Sequence, residues 1–298
     1  MRVFLTGATG FIGRRVCEQL QAAGHEVIGL TRSDAGAEAL RATGAHVQRG
    51  ELGDLASLRA GAAAADAVIH TAFDHDFSRF AANCEQDAAA IGALGEVLKG
   101  SPRPLLITSG VGMGEAAPGQ PALETVFNPG HGNPRIASER AGNALLDAGI
   151  DVRVMRLPQV HDTFRQGLIS YFIDIARKQA VAAYVGEGGN RWSAAHVDDV
   201  ARAYVLALER GHAGERYHAV AEEGISARRI AEVVGAGLGV PVRSIAAEDA
   251  DAIFGWFGLF AGMDLPASSA LTRQRLGWRP VGPTLLQDLQ DMDYREGR

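Results

Sequence analysis

Apolar residues recur along the chain in short runs: Arg2–Thr6, Glu26–Thr31, His46–Arg49, Ala67–Thr71, Pro104–Thr108 and Val152–Leu157. These runs predict strands. After the first of them, Ile12, Val16 and Leu20 fall at i, i+4 and i+8, the stripe of a helix with one buried face. Alanine-rich stretches at Asn83–Lys99 and Ile136–Ala148 predict further helices. Strand and helix in alternation give the α/β class, with a doubly wound parallel sheet that binds ligands at the carboxyl ends of its strands. After Leu157 the alternation breaks down. Residues 164–189 and 216–298 then read as a smaller, mainly helical unit, while 190–215, with a helix over His196–Leu208, return to the unit formed by 1–163.

The junction of the first strand and first helix carries the chemistry. Gly7, Gly10 and Gly13 follow the strand directly. Gly7 permits a tight exit from the strand, Gly10 lets the backbone approach a diphosphate, and Gly13 lets the helix lie close on the sheet. Thr9, Phe11 and Ile12 complete the turn, and the free N–H groups at the helix start are aimed at the phosphates. This is a Rossmann-type dinucleotide-binding turn.

Composition sets limits on this reading. With 298 residues, 47% hydrophobic and 21% charged, the chain can bury a large core without staples. A net charge of −6 argues against nucleic acid as a partner. Two cysteines, Cys17 and Cys84, are too few for a disulfide framework and point to a reducing, cytoplasmic setting. The histidines lack ligand spacing, so no metal is expected. The late apolar run Ile253–Phe260 is far short of the ~20 residues that a membrane span needs, so no membrane partner is expected either. It reads as a lid or pocket wall, with core or dimer packing as the alternative.

TGATGFIG, with two residues between the first glycines, resembles the extended short-chain dehydrogenase/reductase group, which includes the NAD-dependent epimerases and dehydratases. Three later segments resemble it too: HVDDVARAYVLALE (196–209), ISARRIAEVVGAGLGVPV (225–242) and LTRQRLGWRP (271–280). The resemblance spans essentially the whole chain. It implies a C-terminal substrate-binding cap, a small-molecule substrate and a homodimer packed through the two alanine-rich helices. The second strand ends in Thr31-Arg32-Ser33 instead of a carboxylate, so Arg32 and Ser33 are expected at the 2′-phosphate of NADP. A solvated surface arginine is the alternative, and nearby Asp34 keeps NAD open. Glu51 and Leu52 stand where the family has an Asp-Leu pair beside the adenine. Thr71 and Ala72 leave room for the nucleotide, Pro158 is expected to line it, and His70 reads as a core histidine.

The family's catalytic pattern is broken. Ser109 falls at the family's serine position, but Arg135 stands at the tyrosine and Glu139 at the lysine of the YxxxK helix, and no tyrosine precedes Tyr171. Arginine keeps its proton at any relevant pH, so Arg135 can stabilise charge and cannot shuttle protons. Glu139 is expected either to accept from ribose hydroxyls or to form an exposed i, i+4 ion pair with Arg135. His161, in the turn near the nicotinamide edge, is a candidate proton donor, as are His131 and His75, the last with a pKa raised by its flanking aspartates. Trp256, Phe257, Phe260 and Met263 suggest an apolar substrate. Two functions follow: an NADP-dependent oxidoreductase or isomerase acting on a small carbonyl or alcohol compound, or a non-catalytic NADP sensor.

Overall fold

The computed structural model describes residues 1–295, so the last three residues of the segment expected to form the cap lie outside the described residues. Seven strands, β1 (Arg2–Thr6), β2 (Glu26–Thr31), β3 (His46–Arg49), β4 (Ala67–His70), β5 (Leu105–Gly110), β6 (Val152–Leu157) and β10 (Arg216–His218), form one sheet in the order β10-β6-β5-β4-β1-β2-β3. Every neighbouring pair is parallel. Five further strands complete the set: β7 (Gln159–His161), β8 (Ala182–Val185), β9 (Arg191–His196), β11 (Glu222–Ser226) and β12 (Val242–Ile245).

Alternate residues of the central strands feed two different cores, as period-two geometry requires. Val3, Leu5, Ala67, Ile69, Leu106 and Met155 face one side, under α1 (Phe11–Ala22) and the later α7 (Val197–Arg210). Phe4, Val68, Leu105, Ile107, Val152 and Val154 face the other, under α3 (Leu55–Ala63), α4 (Phe80–Leu98) and α5 (Ile136–Asp147). Helix α2 (Asp34–Ala42) follows β2. The LGW segment locks onto α7: Trp278 Nε1 donates to the Asp199 carbonyl at 2.9 Å, and the Asp199 carboxylate accepts from Gly282 N–H at 2.7 Å.

A second core joins α6 (Leu168–Gln179), α8 (Ala227–Leu238), α9 (Ala250–Phe254), α10 (Gly258–Ala261) and α12 (Leu285–Asp291), while α11 (Ala270–Leu276) packs with the first core. This region has more helix than strand but carries both. β8 pairs in parallel with β12, and β9 is flanked by parallel β7 and antiparallel β11. Because β12 is largely exposed, it has no apolar alternation by which sequence could reveal it. The Ile253–Phe260 run divides its work: Phe254 and Phe257 enter the second core, while Trp256 is 48% exposed.

Candidate active site

Gly7 adopts φ +70°, and a Cβ there would lie 2.8 Å from Thr71 Oγ1 and Ala72 N. A Cβ on Gly13 would overlap the Gly7 carbonyl. Only glycine fits either position. Gly10 N–H closes the turn onto Gly7 O at 2.8 Å, and Gly10 precedes α1 in extended conformation with no side chain capping the helix. No acidic residue occupies the first turn of α1, so its unsatisfied N–H groups and positive dipole end are left for an anion. Thr71 Oγ1 donates to Thr6 O at 2.8 Å, which fixes Thr71 and Ala72 against the glycines.

At the adenosine end, Arg32 and Ser33 are exposed, and Ser33 Oγ caps α2 by accepting from Gly36 N–H at 3.0 Å. Arg49, the last residue of β3, donates to the carbonyls of Arg32 and Ser33 and pairs with Asp34 at 3.2 Å. Sequence reasoning missed Arg49. The available signal was the adjacency of the second and third strands, which sets Thr31 beside Arg49. Glu51 is exposed, and Leu52 packs at the fringe of the core under α3 and α4.

Arg135, at the tyrosine position, is built into a buried network. Its Nη1 donates to Asp87 Oδ2 at 2.6 Å, its Nη2 to Thr108 O at 3.1 Å, and its guanidinium carbon lies 4.1 Å from the centre of the Phe73 ring. Asp87 also receives Ser138 Oγ at 2.6 Å and faces His70 Nε2 at 3.1 Å. Thr6 Oγ1 lies 2.8 Å from His70 Nδ1. Because the Asp87 carboxylate only accepts, His70 donates to it from Nε2, and its Nδ1 meets the Thr6 hydroxyl. Burial opposes ionisation of Asp87, but Arg135 and His70 overcome it and hold its pKa down at about 2. His70 is thus a paired core histidine.

The expected ion pair between Arg135 and Glu139 is not formed. Helix α5 turns Ser138, Glu139 and Gly142 inward, and Glu139 is fully buried. Its two oxygens take a fork from Arg156 at 2.7 and 2.8 Å, and Arg216 adds a third contact at 3.0 Å. Burial works against the charged form, yet the arginines hold its pKa below the ordinary carboxylate value. This geometry replaces the expected ribose contact, because no part of the carboxylate faces solvent. Arg156 Nη1 also donates to His218 Nε2 at 3.2 Å, so His218 is neutral and donates from Nδ1 to Ser268 O at 2.8 Å.

Ser109, beside Arg156 in the β5–β6 register, is 3% exposed; its Oγ makes no hydrogen bond of good geometry, but it stands close enough to the Glu139 carboxylate to help hold that group's pKa down. A buried hydroxyl without a well-formed hydrogen bond costs roughly 1–3 kcal/mol. His161 lies elsewhere: it is fully buried, with Nδ1 2.6 Å from Asp288 Oδ2 on α12 and Nε2 unpaired, 4.0 Å from Glu222. Among the described residues no contact links it to Ser109 or Arg135. Tyr204 touches Thr108 at 2.6 Å, but it is fully buried and its phenol pKa is pushed up, so it does not replace the missing tyrosine.

The loop from β4 to α4 supplies an aromatic roof. Phe77 stacks on Trp256 at 5.1 Å and meets the edges of Tyr171 and Phe260 at 5.9 and 5.7 Å. Phe73, on which Arg135 rests, touches His75 at 5.3 Å. The aspartates beside His75 are occupied by the loop's own N–H groups, Asp74 by Asp76 and Asp76 by Ser78. Loss of solvent among the rings, with the charges of Arg135 and Arg165, lowers the His75 pKa instead of raising it. Of the expected wall residues, Phe257 is buried against Phe172 and Trp192, while Trp256 and Phe260 join the roof.

Residues 3–220 match the family described as NAD dependent epimerase/dehydratase. The chain belongs to that family. It is 44% identical to an uncharacterized protein of Schizosaccharomyces pombe over 99% of this chain and 100% of that one. It is 40% identical to an uncharacterized protein of Saccharomyces cerevisiae, over 97% and 98% of the two chains. Its fold matches a dTDP-glucose 4,6-dehydratase from Streptomyces venezuelae, solved with NAD bound, with a TM-score of 0.77 at 22% identity, covering 99% of this chain and 96% of that one. As a member of the epimerase/dehydratase family the protein is nicotinamide-dinucleotide dependent, and the glycine turn fits that group. Among the described residues no helix is long and apolar enough to cross a membrane.

Proposed function

We propose that the protein is an NADP-dependent oxidoreductase that interconverts a small, apolar carbonyl compound and its alcohol. The observation that carries this reading is Ser109: a buried hydroxyl without a hydrogen bond of good geometry, beside Glu139, at the carboxyl end of the inner strand β5. Gly7, Thr9, Gly10, Phe11, Ile12, Gly13, Thr71, Ala72 and Pro158 hold the dinucleotide, whose nicotinamide supplies or accepts a hydride when bound. Ser109 Oγ–H donates to the carbonyl oxygen, the nearby positive charge of Arg135 favours the negative charge that develops there, and the alkoxide takes the proton that completes the alcohol from bulk water as product leaves. Phe77, Trp256 and Phe260 exclude water and favour an apolar substrate over a sugar nucleotide. Preference for NADP rests on the exposed Arg32 and Ser33, and on Arg49, which engages the one nearby acid, Asp34. A homodimer through α4 and α5 accompanies this reading, and sedimentation would test it.

One observation favours a sensor instead. Both positions of the family's proton-transferring pair are tied into buried ion pairs. Measuring NADPH oxidation over a panel of apolar ketones and aldehydes separates the two. Turnover that falls in Ser109→Ala supports the oxidoreductase, and tight coenzyme binding without turnover supports the sensor. Arg32→Ala should weaken NADPH and leave NADH unchanged.

A further inference from the structure

The turn between β7 and α6 is tightly bonded. Asp162 Oδ1 accepts from the N–H groups of Phe164 at 2.7 Å and Arg165 at 2.6 Å. Asp162 N–H donates to Arg165 O at 2.8 Å, and Gln166 Nε2 donates to Asp162 O at 2.6 Å. These bonds fix the direction in which the exposed Arg165 side chain leaves the backbone. Its guanidinium carbon stands 5.9 Å from the ring centre of Phe11, the first residue of α1. No carboxylate among the described residues pairs with it.

An arginine whose side chain makes no ion pair, beside a helix start without an acid, points to an anion between them. The dinucleotide's diphosphate carries two negative charges. A helix N-terminus offers roughly half a unit of positive charge, which leaves most of the load unbalanced. Arg165 supplies a full unit from the opposite side. A cavity of about 270 Å³ adjoins it on the α6 side, away from the glycine turn, lined also by Ser170, Tyr171, Asp174 and Arg177. Gln166 is fully buried, and its Oε1 has no partner.

We propose that Arg165 is a cofactor-binding residue, whose guanidinium holds the dinucleotide's diphosphate against the glycine turn from the side of the second core. This rests on the dinucleotide reading of that turn. It also ties the second core to the cofactor, because the turn carrying Arg165 leads directly into α6.

The test is calorimetric titration of NADPH and ADP-ribose, with adenosine read by displacement of ADP-ribose, on the full-length protein and on Arg165→Ala and Arg165→Lys. Arg165→Ala should weaken NADPH and ADP-ribose by a similar factor, roughly ten- to a hundredfold for one charge-assisted contact. Adenosine, which lacks the diphosphate, should bind both proteins equally, and Arg165→Lys should recover part of the loss. Unchanged ADP-ribose binding in Arg165→Ala overturns the assignment, as does an equal loss for adenosine. Failure of the unmodified protein to bind NADPH, NADH or ADP-ribose overturns it too, together with the dinucleotide reading on which it rests.

Discussion

Arg135 Nη1 and Asp87 Oδ2 lie 2.6 Å apart, and Asp87 is only 1% exposed. An arginine in the place of a proton-donating phenol is thus balanced by an aspartate from the neighbouring helix α4. Breaking such a pair strands a buried charge, which costs about 3–5 kcal/mol. Asp87→Ala should lose about that much stability in urea unfolding, since Arg135, Ser138 and His70 all lose a partner. Asp87→Leu combined with Arg135→Met should recover a large part of it. A double variant no more stable than Asp87→Ala would refute the pairing argument.

Ser109→Ala separates chemistry from stability. The hydroxyl makes no well-formed hydrogen bond in the protein, only a close approach to Glu139, so its removal should change stability by no more than about 1 kcal/mol. Turnover should fall by roughly ten- to a hundredfold with the carbonyl substrate. A loss of stability with unaltered kcat would contradict the assignment.

Acid should unfold the protein in two stages. Burial and the charge of Arg156 push the His218 pKa down to about 3, against about 6.5 for a free imidazole. The unfolded chain therefore takes up a proton that the folded one refuses, and stability falls as pH drops below about 6.5, by up to about 1.4 kcal/mol per pH unit. Asp87, with its pKa at about 2, contributes stability that is present above pH ~4 and lost as pH falls towards its folded value. Urea midpoints at several pH values should show the first slope in the unmodified protein and a flatter one in His218→Asn.

On the proposed function, Trp256→Ala should raise KM for apolar substrates several-fold while kcat changes little, because the indole packs with Phe77, Tyr171 and Phe260 and, among the described residues, has no contact with Ser109 or Arg135. Thermal unfolding should move little, given that Trp256 is 48% exposed. An equal KM for both proteins across the ketone panel would remove the roof from the binding site.

The six strands of the nucleotide-binding half and the glycine turn were readable because five of the six, all but the edge strand β3, are buried on both faces and the turn tolerates only glycine. The partners of Arg135 and Glu139 were not. Spacing on α5 suggested that the two face each other, whereas each meets a residue brought from another element: Asp87 from α4, Arg156 from β6 and Arg216 from β10. Nothing in an alanine-rich stretch distinguishes Asp87 from a solvated acid until the helix is laid against the sheet. The second region failed for a related reason: β8 and β12 are four residues each, and β12 is mostly exposed. His161 was read as a turn histidine and candidate proton donor; its burial was not legible, because its partner Asp288 lies 127 residues further along the chain.

The stacking of Trp256 on Phe77 gives the molecule a built-in optical gauge. Trp192 and Trp278 are buried and furnish a steady fluorescent background, so changes in emission report on the single half-exposed indole. Entry of a compound beneath it would shift colour and brightness without any attached dye.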